Sequence, residues 1–521
     1  MGKEKPVSGA ARRGTPRIWR RASGILLHPT CLPGPYGIGD LGPAAHQFLD
    51  SLAAAGQSLW QVLPLGPTGF GDSPYACFSS FAGNPLLVSI DLLKEWGLIR
   101  AEDLSPLPRF PTARVDYGAM IRWKMPLLRR AAARFLQSAD GGHRDRFQAF
   151  RKEESWWLED YCVFMAVKQV YEGAWNRAWE GQIALRDPAA LARIAAERSD
   201  AIAVEAVIQY FFFSQWDALH DAAAGKGIRI IGDLPIFAAP DSADVWANRE
   251  LFLLDSDGRP TVVSGVPPDY FAATGQLWGN PLYDWAALEK QGFRFWIQRI
   301  RAARRLFDLV RIDHFRGFDA CWSVPAGAAT AEKGQWVKVP GRGLFEAMKR
   351  ELGDLPIIAE DLGVITPEVS ALREGFGFPG MRILQFAFDS KEAGMLNADN
   401  PFLPHNHTPN SVVYTGTHDN DTTRGWYAAR TPQERAYLDQ YAPAAEPEVE
   451  WRLIRMALAS VCRFAVIPLQ DVRGLGAEAR MNTPGTSSEN NWSWRIGESG
   501  LDERSAARLR ALSVLYGRTR S

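Results

Sequence analysis

The chain has 521 residues, enough for a large buried core and for either two to four domains or one elaborated barrel. Lysine plus arginine and aspartate plus glutamate both number 59, a balance that argues against nucleic acid as partner and against an acidic, solvating chain. Five scattered cysteines without a CxxC pair argue against a disulfide framework and a structural zinc site, and no apolar run reaches the roughly 18 residues of a membrane span.

From the N-terminus, "MGKEKPVSGAARRGTPRIWRR" is polar and basic with no apolar stretch. Residues 1–22 are therefore expected to be a flexible tail rather than a signal peptide, and the protein is expected to be cytoplasmic. A catalytic unit spanning 23–521 follows. Its skeleton is eight short apolar runs that end in polar residues: "SGILLHP" from Ser23, "SLWQVLPLGP" from Ser58, "GIRIIGDLPIF" from Gly227 and "FDLVRIDHF" from Phe307, then "LPIIAEDLG" from Leu355, "MRILQFAFD" from Met381, "NSVVYTGTHDND" from Asn410 and "RFAVIPLQD" from Arg463. Unbroken Val/Ile/Leu segments of this kind are parallel strands buried on both faces. Helical stretches lie between the later ones, as in "TPEVSALREGFG", with Thr366 as N-cap and Pro367 at the first helical position. The pattern predicts an α/β fold, a TIM (β/α)8 barrel.

Two gaps are too long for single crossovers. Residues 66–227 hold "DYGAMIRWKMPLLRRAAARFLQ" and "SWWLEDYCVFMAVKQVY", whose periodicity predicts a mostly helical inserted subdomain. Residues 238–300 form a second insertion; its "SGVPPDYFAATGQLWGNPLYDW" is rich in Gly, Pro, Asn and Asp and is expected to be surface loop near the active site. With the short stretch of chain that follows the eighth run, no C-terminal β-sandwich is expected. Nineteen tryptophans are available, most of them for helix packing and some as flat platforms for sugar rings.

In such barrels the active site lies at the C-terminal ends of the strands. The carboxylates there are Asp233, Asp313, Glu360, Asp361, Asp389, Asp419, Asp421 and Asp471. Converging carboxylates, with few histidines and no thiolate candidate, point to glycosidic chemistry, which needs a nucleophile and a general acid/base. Arg311 and Asp313 are two apart and so share one side of a strand, where the guanidinium favours an ionised nucleophile. Glu360, near that charge and partly buried, suits the general acid. Asp361 is expected to point away and make a structural hydrogen bond, and His314 is expected to be structural as well. Asp419, after His418, is a candidate for binding sugar hydroxyls. "HNH" at 405–407 lies in a Pro/Asn-rich loop and is not a metal pair.

"RIDHFRGF", "AEDLG" and "GTHDNDT" resemble the catalytic strand ends of the α-amylase superfamily. With "SPYACFSSFAGNP" (73–85), "GDLPIF" (232–237), "VPPDYFAATGQLWGNPLYDW" (266–285) and "RMNTPGT" (480–486), the set is similar to the 4-α-glucanotransferases, also called amylomaltases or disproportionating enzymes. The resemblance covers about residues 24–495. It implies Asp313 as nucleophile, Glu360 as acid/base and Asp419 as transition-state stabiliser. Arg311, His418 and Tyr75 would line the site of the cleaved bond. Asp269, Gln276 and Trp278 would belong to a loop on the acceptor side with Asn482 opposite, and Ser73 and Asp389 would also bind substrate. One position departs from the family pattern: Ala76 follows "SPY", where a polar residue is frequent. The family implies no cofactor and no metal, and its substrates are maltooligosaccharides and α-1,4-glucans. The chain is expected to be a monomer or weak homo-oligomer, with no nucleic acid or membrane partner. The neighbouring possibility is an α-glucan hydrolase with the same three acids. A metal-dependent sugar isomerase would need clustered His and Glu ligands at the strand ends, where only His314 and His418 stand.

Overall fold

The computed structural model describes residues 20–138, 140–268, 274–390, 396–442, 446–497 and 500–519. Twelve strands are found among them. In chain order they are β1 Ala22–Leu26, β2 Leu59–Gln61, β3 Arg229–Leu234, β4 Val262–Val266, β5 Gln276–Pro281 and β6 Leu309–Ile312. They continue as β7 Ala320–Pro325, β8 Gln335–Lys338, β9 Ile357–Ala359, β10 Gly380–Ile383, β11 Ser411–Tyr414 and β12 Phe464–Pro468. Eight of them form one parallel sheet in the order β10-β11-β12-β1-β2-β3-β6-β9. The Ala359 amide donates to the Pro379 carbonyl at 2.9 Å and ties β9 to the start of β10, so the sheet curls into a nearly closed TIM barrel. Each of the eight apolar runs supplies one barrel strand, and these strands are buried along almost their whole length, as unbroken apolar runs require.

Close packing between strands dictates small residues at particular points. A Cβ on Gly232 would lie 2.0 Å from the Phe307 ring, so only glycine lets β3 pass there on its way to Asp233. Between β2 and β3 the chain forms helices at Tyr117–Ser138, Gly141–Glu153, Ser155–Val170, Pro188–Glu197 and Ser199–Gly225. The last of these buries Phe211, Phe212 and Trp216 and leads into β3. Pro367 is the first residue of the helix Pro367–Gly375, whereas the Thr366 side chain makes no capping hydrogen bond.

The expectation of surface loop in the second insertion is overturned for part of it. β4 and β5 pair antiparallel and join β7 and β8 in a separate four-stranded sheet of order β5-β4-β7-β8. Glycine and proline hid these strands: Gly265 and Gly279 lie within them and Pro281 ends one, and a β-bulge between Val263 and Gly265 breaks the alternation of side chains. Residues after β12 form a helical turn, Leu469–Val472, then loops and a helix, Glu503–Leu515, with no β-sandwich among the described residues. Of the tail expected over 1–22, residues 1–19 lie outside the described residues, and Ala22 already opens β1. No described helix is long and apolar enough to cross a membrane.

Candidate active site

The site begins where β6 stops. The chain turns at His314, whose backbone is left-handed at φ 52°, and Phe315–Phe318 form a 3-10 turn. Asp313 is thus held at the mouth of the barrel. Arg311 Nη2 donates to Asp313 Oδ1 at 2.9 Å, so the two side chains share one side as their spacing predicts. The other end of the guanidinium donates to Asp233 Oδ2 at 2.6 Å, because Arg311 stands opposite Asp233 in the β3–β6 register. Burial opposes the Arg311 charge, but the carboxylates of Asp233 and Asp313 outweigh it and hold its pKa well above the ordinary range.

Asp233 extends this chain of contacts. Its Oδ2 also accepts from the Tyr75 hydroxyl at 2.8 Å, and the same hydroxyl lies 2.9 Å from His418 Nε2. A phenol has one proton, and Asp233 takes it, so His418 donates through Nε2–H to the phenol oxygen. The Tyr75 and His418 rings are stacked with centroids 5.4 Å apart, and Trp492 leans on both. Ser73 sets the turn, its hydroxyl accepting from the Tyr75 amide at 3.2 Å.

His418 leads to Asp419, whose Oδ2 is 3.5 Å from Nε2. Asn482 Nδ2 donates to Asp419 Oδ1 at 2.6 Å, and the Asn482 amide donates to the His418 carbonyl at 3.1 Å. Arg480 fastens the two loops together through the carbonyls of Asp419 at 2.6 Å and Asn482 at 2.7 Å. One polar chain therefore runs Asp313–Arg311–Asp233–Tyr75–His418–Asp419–Asn482.

Glu360 is the first residue beyond β9. Its Oε2 accepts from the His314 amide at 2.7 Å and its Oε1 from the Leu362 amide at 2.8 Å. Burial first, then the charge of Asp313, raises its pKa from 4.5 to about 7, against the opposing pull of Arg311 and the two amides. The left-handed turn at His314 aims that amide at the carboxylate, a role sequence reasoning missed because it lies in the backbone. The His314 ring, expected to be structural, meets Trp278 edge-on at 4.8 Å. Trp278, on β5, is 38% exposed and donates to Gln276 Oε1 at 3.3 Å. The other acceptor-side candidate, Asp269, lies outside the described residues.

Several strand-end carboxylates are not brought to the chain of contacts. Asp361 accepts from the Met381 amide at 2.7 Å and sits 3.4 Å from Arg373 and 3.8 Å from Arg382. Asp471, in the helical turn after β12, is buried and accepts from Thr415 and Thr423. Asp389 does not sit at a strand end: β10 stops at Ile383, a helical turn Leu384–Ala387 intervenes, and the Asp389 carboxylate is paired with Arg430. His405 and His407 bond to Tyr441, Ser460 and backbone carbonyls, and no group of three metal-ligating side chains appears among the described residues. Sequence reasoning placed Asp233 at a strand end but gave it no task, and it missed Arg480 and Trp492. Only the register could show that Asp233 faces Arg311.

This geometry has close counterparts. A family model described as 4-alpha-glucanotransferase matches residues 27–499. A 4-alpha-glucanotransferase of Thermus thermophilus is 54% identical over 502 residues, covering 95% of this chain and 98% of the relative. A chloroplastic/amyloplastic 4-alpha-glucanotransferase of Solanum tuberosum is 48% identical over 510 residues, covering 96% and 87%. Among solved structures, an amylomaltase from Streptococcus agalactiae in complex with acarbose superposes with a TM-score of 0.91 at 39% identity, covering 96% of this chain and 100% of that one.

Proposed function

Because this chain belongs to the 4-α-glucanotransferase family, and is an enzyme of that activity, we propose a division of labour among its residues in a retaining double displacement on α-1,4-glucans. Asp313 attacks the anomeric carbon of the donor and forms a β-linked glucosyl-enzyme while Glu360 protonates the departing oxygen. The 4-OH of an acceptor glucan then attacks, Glu360 takes its proton, and an α-1,4 bond is restored. Arg311 balances the charge of Asp313 and fixes its orientation through two hydrogen-bonded carboxylates. Asp419 and His418 meet the sugar whose ring distorts, with Tyr75 packed beside them. Gln276 and Trp278 receive the acceptor, so that a sugar hydroxyl reaches the glucosyl-enzyme before water does. Asp269, Ser73, Asn482 and Asp389 belong to the same proposal as substrate contacts, Asp389 through the position its pairing with Arg430 gives it.

The observation that carries this reading is the contrast at the strand ends of β6 and β9. Asp313 is tied to a cation, and Glu360 is held at about 7 by burial and by that same Asp313. A nucleophile and a proton donor require these different settings. Incubation with maltotriose tests it. Transfer yields glucose and longer maltooligosaccharides with constant total reducing ends. Reducing ends that rise in step with maltotriose loss would make the chain a hydrolase instead. A crystal structure should also place the carboxyl groups of Asp313 and Glu360 roughly 5–5.5 Å apart, and a separation above about 6.5 Å would remove the retaining mechanism.

A further inference from the structure

Beneath His418, between the C-terminal ends of β1, β11 and β12, lies a cavity of about 30 Å³. His28 and His418 both line it, together with the polar side chains of Asn420, Asp421, Gln470 and Arg480. Both imidazoles are more than nine-tenths buried, at 5% and 6% exposure. Neither Nδ1 atom has a hydrogen-bond partner among the described residues. The two rings are close enough that charge on His418 opposes charge on His28, and burial, the larger cause, brings the His28 pKa down to about 3. His28 is therefore neutral, with one N–H and one lone pair to satisfy. On the other side of His418, Nε2 is already committed as the donor to Tyr75, which leaves Nδ1 of this cavity-lining ring without a partner among the described residues.

A cavity needs only ~10–15 Å³, and two to four polar partners, to hold one water. We propose that one bound water in this cavity accepts from His28 Nδ1–H and donates to His418 Nδ1, making His28 a positioning residue that fixes the tautomer and ring orientation of His418. The inference rests on the reading of His418 as a residue of the cleaved-bond site. Its chemistry is that of an outer partner setting which nitrogen of a working histidine carries the proton. With the bridge intact, Nε2–H points steadily toward Tyr75 and Asp419. Without it, His418 is free to place its proton on Nδ1 and present a lone pair to two acceptors, which disrupts the polar chain at its midpoint.

The test uses the full chain labelled with ¹⁵N-histidine, with long-range proton–nitrogen correlation spectra recorded near pH 7.5. Wild type should show His28 as the Nδ1–H tautomer and His418 as the Nε2–H tautomer. His28→Phe keeps the ring shape but removes the donor; His418 should then populate Nδ1–H, and kcat for transfer from maltotriose should fall about five- to tenfold, as loss of one net hydrogen bond allows. His28→Asn, whose side-chain amide can stand near the Nδ1 position, should restore both the tautomer and most of the rate. If the Phe ring prevents folding, His28→Leu replaces it. An Nδ1–H tautomer of His418 in wild type overturns the proposal, as does a His28→Phe variant with unchanged spectrum or a rate lost without a tautomer change. The reading of the site itself fails separately: His418→Ala transferring at the wild-type rate would remove His418 from the site whatever the spectra show.

Discussion

Glu360 and Asp361 are neighbours at the end of β9, both carboxylic acids, and both raised in pKa by burial. Their surroundings set them apart. Asp361 turns between β9 and β10 into two guanidinium groups and the Met381 amide, and a Cβ on Gly380 would lie 2.3 Å from its Oδ2. Glu360 turns to the mouth of the barrel, where it accepts two backbone N–H groups and faces the like charge of Asp313. A buried carboxylate matched by cations is held in one charge state and serves the fold. One held by backbone dipoles beside a second carboxylate whose charge outweighs the pull of Arg311 keeps a proton that it can exchange near neutral pH.

The largest expected effect breaks or upholds this contrast directly. Asp313→Asn and Glu360→Gln should each lower transfer from maltotriose by about a thousandfold or more, with glucan binding nearly unchanged. Asp361→Asn should leave kcat within about twofold but remove ~3 kcal/mol of stability, since the buried Arg373 and the half-buried Arg382 both lose this carboxylate. Glu360→Gln should act far less severely on α-glucosyl fluoride, whose leaving group needs no proton. Equal losses on both donors would take the acid role from Glu360.

The pH profile sharpens the comparison next. In the proposed role of general acid Glu360 must be protonated, so transfer from maltotriose should fall above about pH 7, by about tenfold per unit once well past it. The Asp361→Asn variant should keep that limb in place, and with α-glucosyl fluoride the limb should vanish from the first half-reaction. A profile flat through pH 9 for maltotriose would show that the proton comes from elsewhere.

Tryptophans allow the same contrast at smaller scale. Trp278, proposed to receive the acceptor, is 38% exposed, whereas Trp296 is fully buried. Trp278→Ala should raise the KM for acceptor about three- to tenfold and leave the melting temperature nearly unchanged. Trp296→Ala should leave that KM alone and cost ~3–5 kcal/mol of stability.

These contrasts also mark what was legible in the sequence. The eight barrel strands could be read because a strand buried on both faces must be almost wholly apolar, and eight such runs recur along the chain. The antiparallel sheet of β4, β5, β7 and β8 could not: its strands are partly exposed, Gly279 lies inside one, and pairs such as Gly265 with Trp322 join segments over fifty residues apart. In the site, Arg311 and Asp313 could be paired because their spacing alone puts them on one side. Asp233 became informative only through the lateral register of β3 and β6, which local pattern does not encode. The His314 amide was invisible for a different reason, since a side-chain reading contains no backbone donors. Asp389 was misplaced because "MRILQFAFD" is apolar in a way that suits a strand and a buried helical turn equally.

The smallest effect concerns stability, and its sign follows from the raised pKa. Glu360 binds its proton at about 7 in the folded chain against 4.5 for an ordinary glutamate, so between these values the folded state holds more proton than the unfolded one. Stability contributed by this group is therefore full below pH 4.5 and is lost as pH rises to 7 and beyond. The loss is about 1–3 kcal/mol at pH 8, the lower part of the range applying because the side chain keeps some contact with solvent. Glutamine cannot ionise, and Glu360→Gln should escape this loss. Its amide also cannot accept from both the His314 and Leu362 N–H groups, which adds a cost that does not depend on pH. The quantity to measure is thus the difference in melting temperature between Glu360→Gln and wild type at pH 4.5 and again at pH 8. That difference should move in favour of the variant by a few degrees as pH rises. A difference that stays constant would mean that Glu360 titrates alike in the folded and unfolded chain, and the distinction between it and Asp361 would then rest on position alone.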